Sequence, residues 1–329
     1  MCTALTLKNE GCYSLFGRNM DIEYTFNQSV HFIPRKFTYT DIATNNKANL
    51  KYAVMGMATS IENHPMFADG FNEKGLAMAG LNFPGYAEYE DEMVEGTFNI
   101  SPSDLILWTL GNFETVEEVK EVFKKVNIVK KQLNDYVPLA PLHWIVVDKD
   151  GNRIVIEKIN GQLNVYDNPI GVLTNSPEFP WHITNLRQYM GLNSCQPKET
   201  QWGKLSLSPL GQGLGSIGIP GDFTPASRFV RASFLKANMP KVENEELAIG
   251  EFFHILNNVK MVRGSVVTPE GKNDITQYTT CMSLDKCVYY YNTYKNNTIN
   301  AINMMNESLD GKQIKSYPYL DTLYINKQN

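Results

Sequence analysis

The second residue of the chain, Cys2, offers the strongest catalytic chemistry in the sequence. Removal of Met1 would leave Cys2 with both a thiol and a free α-amino group. A thiolate is a strong nucleophile and a free amine can act as a base, so one residue would carry both functions. Position alone is a weak signal, because many chains begin with Met-Cys by chance.

Two charged residues, Arg18 and Asp21, are spaced to support such a nucleophile. They follow a strand-like run, Ser14 to Gly17, that would pair with Ala4 to Leu7 in an N-terminal hairpin. A guanidinium beside a thiol favours the thiolate, and a carboxylate can orient a protonated amine. The alternative is a surface ion pair at a strand end, which contributes only about 0–1 kcal/mol.

Other motifs that suggest chemistry fail on their context. Gly213 to Gly218 fits the G-x-G-x-x-G pattern, but Ile219-Pro220 follows instead of a helix, which indicates a loop. The local signature of papain-type proteases is absent around the cysteines. The histidines show neither HExxH nor paired i, i+4 spacing, and we interpret them as structural or surface groups: His31, His64, His143, His182 and His254. The sequence therefore predicts no metal and no cofactor.

Composition narrows the class of protein. The chain has 329 residues, of which 43% are hydrophobic and 20% charged, enough apolar material for a continuous core. Its formal charge of −5 is spread without basic runs, which argues against nucleic acid as a partner. The start of the sequence does not resemble a leader, and no apolar run is long enough to cross a membrane. The five cysteines are widely scattered. We therefore expect a soluble, cytoplasmic protein with reduced thiols and no membrane contact.

Strand-like and helix-like patterns alternate in blocks, which favours an α+β fold over a parallel βαβ sheet. Turn residues separate the strands at Asp150 to Asn152, Asn160-Gly161 and Glu270-Gly271. The predicted strands are Thr3 to Leu7, Ser14 to Gly17, Val30 to Pro34, Tyr52 to Met57, Leu76 to Leu81, His143 to Val147, Ile154 to Lys158, Leu163 to Tyr166, Gln277 to Leu284, Val288 to Tyr294 and Ile299 to Met304. The predicted helices are Asp104 to Leu110, Val116 to Val126 with Thr115 as its N-cap, Trp181 to Met190, Ala226 to Ala237 and Glu245 to Asn258. We expect one domain over residues 1–329, with a loop excursion near 193–221 that is rich in Ser, Pro and Gly.

Five separated motifs together resemble the choloylglycine hydrolase family, which contains bile salt hydrolases and penicillin V acylases. They are Met1-Cys2-Thr3, Gly17-Arg18-Asn19-Met20-Asp21, Gly80-Leu81-Asn82-Phe83-Pro84, Leu173-Thr174-Asn175-Ser176-Pro177 and Gly221-Asp222-Phe223-Thr224-Pro225-Ala226-Ser227-Arg228-Phe229. The resemblance implies an N-terminal-nucleophile amide hydrolase with a four-layer αββα sandwich of two antiparallel sheets, assembled as a homotetramer. It also implies a set of catalytic residues: Cys2, Arg18, Asp21, Asn82, Asn175 and Arg228.

The implied asparagines and arginine each have a physical rationale. Asn82 and Asn175 would be neutral amide donors to the oxyanion of a tetrahedral intermediate, where losing one donor typically costs about 2.7–4 kcal/mol. Both lie in turn-like sequences, Asn-Phe-Pro and Asn-Ser-Pro, and a turn role is compatible with this one. Arg228 would lie in the first turn of the helix that starts after Thr224. The alternative interpretation of Arg228 is an ordinary solvated residue of that helix.

Within the family, the chain resembles the bile salt hydrolases, because position 82 is Asn and penicillin V acylases commonly carry Tyr there. This implies a conjugated bile salt as the substrate and therefore a broad apolar wall. The candidate lining residues are Met20, Phe26, Ile61, Ala68, Leu133, Val137 and Leu142. A penicillin V acylase is the alternative enzyme, and a non-catalytic steroid-binding protein is the contrasting class.

Overall fold

A computed structural model describes residues 1–329 and contains twenty strands and five α-helices. The strands are β1 (Cys2–Asn9), β2 (Tyr13–Ile22), β3 (Ser29–Ile33), β4 (Thr38–Thr40), β5 (Lys47–Asn49), β6 (Val54–Ile61), β7 (His64–Asn72), β8 (Leu76–Asn82), β9 (Phe98–Ile100), β10 (Val126–Ile128), β11 (Leu142–Asp148), β12 (Arg153–Ile159), β13 (Gln162–Asp167), β14 (Val172–Leu173), β15 (Thr200–Trp202), β16 (Leu205–Leu207), β17 (Ile275–Ser283), β18 (Val288–Thr293), β19 (Asn300–Asn303) and β20 (Lys315–Tyr317). The helices are α1 (Leu105–Asn112), α2 (Val116–Phe123), α3 (Phe179–Asn185), α4 (Pro225–Asn238) and α5 (Glu245–Asn257).

Two antiparallel sheets form the middle of the molecule. The six-stranded sheet has the order β14-β1-β2-β17-β18-β19, and the eight-stranded sheet has the order β13-β12-β11-β8-β7-β6-β3-β20. The predicted N-terminal hairpin is confirmed, because Ala4 pairs with Arg18 and Leu5 with Gly17. The hairpin places β1 inside its sheet, between β14 and β2.

Helices cover both outer faces of this pair of sheets. One core cluster joins the two sheets and takes in Phe229 and Phe252 from α4 and α5. The second cluster lies on the other face of the eight-stranded sheet and includes Leu107 from α1 and Val119 from α2. The predicted α+β class and αββα sandwich are therefore confirmed. None of the helices combines the length and apolar character needed to cross a bilayer.

One predicted helix differs from the observed element. The sequence predicts a helix from Trp181 to Met190, but the α-helix starts two residues earlier, at Phe179. It ends at Asn185 and continues as a 3-10 helix over Leu186–Tyr189. Pro180 explains the early start, because proline fits the first turn of a helix, where its missing N–H would be unbonded anyway. The other four helices lie close to their predicted bounds, and Thr115 accepts the capping hydrogen bond from the Glu118 N–H.

The sequence patterns missed one central strand, β7. Asp69 and Gly70 break its apolar alternation, although the strand is mostly buried. The Asp69 carboxylate is fully buried and accepts hydrogen bonds from Tyr278 at 3.0 Å and Tyr289 at 2.6 Å. Gly70 pairs with Gly56 of β6, and a side chain at Gly56 would collide with the backbone of β7. Partners from distant strands thus make a polar residue acceptable here.

Candidate active site

The Cys2 thiol lies between the two sheets. Cys2 is buried and pairs with Met20, two residues along the strands from the pair of Ala4 and Arg18. Side chains of directly paired residues share one face of a sheet, and so do residues two apart. Cys2, Arg18 and Met20 therefore project together towards the eight-stranded sheet.

The Arg18 guanidinium crosses the gap between the sheets and contacts the Cys2 sulfur. Its Nη2 donates to Sγ, while Nη1 donates to the carbonyls of Gly80 at 2.6 Å and Ala68 at 3.3 Å. Burial alone lowers the pKa of Arg18, but Cys2 and nearby acidic groups such as Asp69 outweigh it, and the pKa is raised. The guanidinium therefore stays charged beside the Cys2 sulfur.

Asp21 lies on the opposite face of β2 from Arg18, beside the start of the chain. One carboxylate oxygen accepts a hydrogen bond from Thr276 at 2.5 Å, and the other is buried without a partner. The backbone of Asp21 is hydrogen-bonded to Met1, the residue bonded to the nitrogen of Cys2. With Met1 in place, that nitrogen is a peptide amide.

Asn175 holds the backbone of Cys2 in place. Its Oδ1 accepts hydrogen bonds from the Cys2 N–H at 2.8 Å and from Arg228 at 2.7 Å. Its Nδ2 donates to the Asn82 carbonyl at 2.6 Å, so the donor that was expected to bind an oxyanion is engaged within the chain. The Asn82 side chain makes no hydrogen bond and lines the neighbouring cavity.

Arg228 is fully buried, which excludes a solvated role for it. Thr224 caps α4 by accepting a hydrogen bond from the Ser227 N–H, and this fixes the first turn of the helix. Nη1 of Arg228 donates to the Cys2 carbonyl and, at 2.6 Å, to the hydroxyl of Thr3. Arg228 and Asn175 therefore contact the backbone of Cys2 from behind the cavity wall.

A cavity of about 620 Å³ opens directly in front of Cys2. Cys2, Arg18, Asp21 and Asn82 line it, and thirteen of its twenty-five lining residues are hydrophobic. Five of the seven residues expected to form an acyl wall do line it: Met20, Phe26, Ala68, Val137 and Leu142. The cavity is therefore a mostly apolar chamber with a thiol at its base.

Two of the expected lining residues, Ile61 and Leu133, do not reach the cavity. Ile61 pairs with His64 at the tip of the hairpin between β6 and β7, two residues beyond Thr59, which does line it. Two residues of a strand span about 6.6 Å, enough to leave the chamber. The loop before β11 reaches the cavity only from Val137 onward, so Leu133 precedes the point of contact.

The sequence patterns did not predict several of the residues that line the cavity. Met66 and Phe67 lie on β7, the strand that Asp69 and Gly70 concealed. Thr268 and Asp274 precede β17, and a carboxylate oxygen of Asp274 lies 3.4 Å from the Met1 nitrogen. An alternation search that tolerated one buried acid would have found β7, whereas no local signal marks Thr268 or Asp274. No group of three or more His, Cys, Asp or Glu side chains is arranged to hold a metal ion.

Comparisons with known proteins extend over the whole chain. The profile of the linear amide C–N hydrolases, choloylglycine hydrolase family, matches residues 2–317. A bile salt hydrolase/transferase from Clostridium perfringens is 54% identical over 329 residues, which cover 100% of both chains. The crystal structure of a variant of the conjugated bile acid hydrolase from Clostridium perfringens has a TM-score of 0.95 at 54% identity, again covering 100% of both chains. A penicillin V acylase from Agrobacterium tumefaciens has a TM-score of 0.77 at 24% identity, covers 97% of this chain and 91% of its own, and shares the fold.

Proposed function

Because the chain belongs to the choloylglycine hydrolase family of linear amide C–N hydrolases, we propose that it hydrolyses the amide bond of glycine- or taurine-conjugated bile salts. One observation carries the proposal: a thiol held against a buried guanidinium lies at the base of a mostly apolar cavity. The cavity volume is within the range of about 300–1,000 Å³ that is usual for small-molecule sites. The full-length similarity to a bile salt hydrolase/transferase supports the same substrate class.

The reaction begins after removal of Met1 has freed the Cys2 amine. The thiolate attacks the amide carbonyl and forms a C–S bond, and the carbonyl oxygen becomes an oxyanion. Collapse of this intermediate breaks the C–N bond, and the leaving glycine or taurine nitrogen takes a proton from the Cys2 ammonium. Water then attacks the thioester while the amine accepts its proton, which releases the bile acid and regenerates the thiolate.

The residues around Cys2 have different roles in this reaction. Arg18 stabilises the thiolate, and the unpartnered oxygen of Asp21 is available to orient the new ammonium group. Asn82 is the asparagine whose side-chain amide is free at the cavity, so we assign it to the oxyanion. Asn175 and Arg228 hold the Cys2 backbone, and Asn175 also fixes the Asn82 carbonyl.

The decisive experiment compares hydrolysis of glycine-conjugated bile salts, taurine-conjugated bile salts and penicillin V by the same preparation. We expect free glycine or taurine to be released faster than penicillin V is cleaved. Faster cleavage of penicillin V would establish the alternative enzyme, which the Asn at position 82 disfavours. Tight bile salt binding without release of either amino acid would establish a binding protein.

Removal of Met1 is tested by measuring the intact mass of the protein. A retained Met1 keeps the Cys2 nitrogen as an amide, which cannot act as a base, so active protein should begin at Cys2. We expect the intact mass of fully active enzyme to lack one methionine. Full activity in protein that still carries Met1 would rule out the N-terminal amine as the base.

We also propose that the protein works as a homotetramer in the cytoplasm. The segment 193–221 contains the small β15–β16 hairpin and exposes apolar side chains, among them Trp202 in the hairpin and Ile217 after it. Exposed apolar patches are typical of protein contacts. All five cysteines are free, and a reducing compartment keeps the Cys2 thiol available for catalysis.

A further inference from the structure

Two buried histidines bind the peptide carbonyls on either side of the Asn175 side chain. Nε2 of His143 donates to the Thr174 carbonyl at 3.1 Å, and Nε2 of His182 donates to the Asn175 carbonyl at 2.9 Å. Both histidines are 0% exposed. The backbone that carries Asn175 is thus fixed by side chains from β11 and α3.

The other ring nitrogen of His143 faces a buried carboxylate. Nδ1 lies 2.9 Å from Oε1 of Glu157, which also accepts the Phe179 N–H at 3.0 Å. Both nitrogens of His143 therefore lie within hydrogen-bonding distance of an oxygen atom. The His143–Glu157 pair joins β11, β12 and the start of α3 to the Asn175 segment.

His143 also contacts the segment that carries the second asparagine. The ring of Phe83, the residue after Asn82, stacks on His143 with a centroid distance of 4.2 Å and an interplanar angle of 7°. The Asn175 amide then closes the connection by donating to the Asn82 carbonyl at 2.6 Å. One buried ring is in this way coupled to both asparagines.

We propose that His143, held by Glu157, is a positioning residue that fixes the Asn175 segment and thereby keeps Asn82 in register with the scissile carbonyl. The proposal rests on the proposed amide hydrolysis, because this register matters only when an oxyanion forms. His143 does not touch the thiol, whose contacts come from Arg18. Its loss should therefore weaken stabilisation of the transition state without altering the reactivity of Cys2.

The chain offers a matched control in a second buried His–carboxylate pair. Nε2 of His64 lies 2.6 Å from Asp104 Oδ1, and both residues are buried. This pair contacts neither asparagine. His64→Gln thus reports what the loss of such a pair does to the fold, and His143→Gln reports that effect plus any effect of positioning.

The experiment measures kcat and KM for glycocholate, and separately the rate of Cys2 alkylation by iodoacetamide. For His143→Gln we expect kcat to fall about tenfold to a hundredfold with KM little changed, since a shift of about 1 Å at a catalytic group can cost a hundredfold. Alkylation should proceed at the parent rate, because this displacement forms no oxyanion. His64→Gln should leave kcat and alkylation unchanged.

Two outcomes would overturn the proposal: an unchanged kcat, or an equal fall in kcat and alkylation, which would indicate general loosening around Cys2. If His143→Gln does not fold, Glu157→Gln is tested in its place, because it removes the carboxylate charge in the same volume. It should also lower kcat without slowing alkylation, to a smaller degree. If the parent protein does not cleave glycocholate, the proposed substrate fails. The kcat and the alkylation rate of the variants are then compared with penicillin V as the substrate. Failure of the proposed substrate is in this way distinguished from failure of the role proposed for His143.

Discussion

At the scale of single residues, two buried arginines contact different atoms of Cys2. Arg18 contacts the sulfur, and Arg228 contacts the carbonyl oxygen of the same residue. Buried cations interact strongly with nearby negative charge because little water screens them. The thiolate and the fixed backbone of the nucleophile are thus supported separately.

Replacing the nucleophile tests this arrangement. Cys2→Ser should fold normally and lose bile salt hydrolysis by at least about a hundredfold, because a hydroxyl ionises far less readily than a thiol. Circular dichroism and release of glycine would measure the two properties. Cys12→Ser changes an exposed thiol away from the site and should keep parental activity. Loss of activity on alkylation with Cys2 unmodified would contradict the assignment.

The neutral ring of His182 predicts a specific pH dependence of stability. Burial lowers the pKa of His182 from 6.5 to about 4. Between these values the unfolded chain binds a proton that the folded chain does not, so stability is complete above pH 6.5 and falls as the pH drops towards 4. The full effect is on the order of 3 kcal/mol.

The corresponding variant is His182→Gln, whose amide can still donate to the Asn175 carbonyl. Urea unfolding at pH 7, 5.5 and 4.5 should show the parent losing its stability advantage over the variant as the pH falls. Parallel pH profiles for the two proteins would contradict a neutral, buried His182.

At the scale of elements, β1 and β2 supply the nucleophile, whereas β7 and β8 supply the carbonyls that orient Arg18. The acyl side of the cavity comes from a separate segment, the loop that leads into β11. That loop contributes apolar wall and none of the contacts to the Cys2 sulfur. We therefore expect substitutions in the loop to alter binding without altering the thiol.

Val137→Asp tests this separation, because Val137 lines the cavity. An acidic group in the apolar wall should raise KM for a conjugated bile salt about tenfold or more. Alkylation of Cys2 by iodoacetamide should keep its rate, since this reagent needs no acyl pocket. Leu133→Asp is the control, since Leu133 belongs to the same loop, is also half-buried and lies outside the cavity. Equal effects of both substitutions on KM would remove Val137 from the site.

At the scale of the whole molecule, the segment 193–221 exposes several apolar side chains. Trp202 is 74% exposed and Ile217 is 72% exposed. Exposed apolar patches often mark contacts with another chain, and the proposed tetramer rests on this segment. The single-domain organisation and the tetramer both stay predictions.

Trp202→Glu tests the assembly. A charge placed in a buried contact is strongly unfavourable, so light scattering should show a smaller assembly than the parent tetramer. Tyr136→Glu changes another exposed aromatic residue, 93% exposed and outside this segment, and should leave the mass of the assembly unchanged. A monomeric parent would contradict the tetramer itself.

The sequence by itself determined the features that depend on neighbouring residues. Alternation and turn residues predicted the β1–β2 hairpin, and Thr115 marked the start of α2, since both depend on contacts within a few residues. The order of five motifs indicated the family. Tertiary structure alone decided which asparagine keeps a free amide, that β7 is a central strand, and that Ile61 and Leu133 lie outside the cavity. The physical reason is that these features depend on packing between the two sheets: Arg228 and Asn175 reach Cys2 from far along the chain, and Asp69 is acceptable in β7 only because Tyr278 and Tyr289 meet it from the opposite sheet.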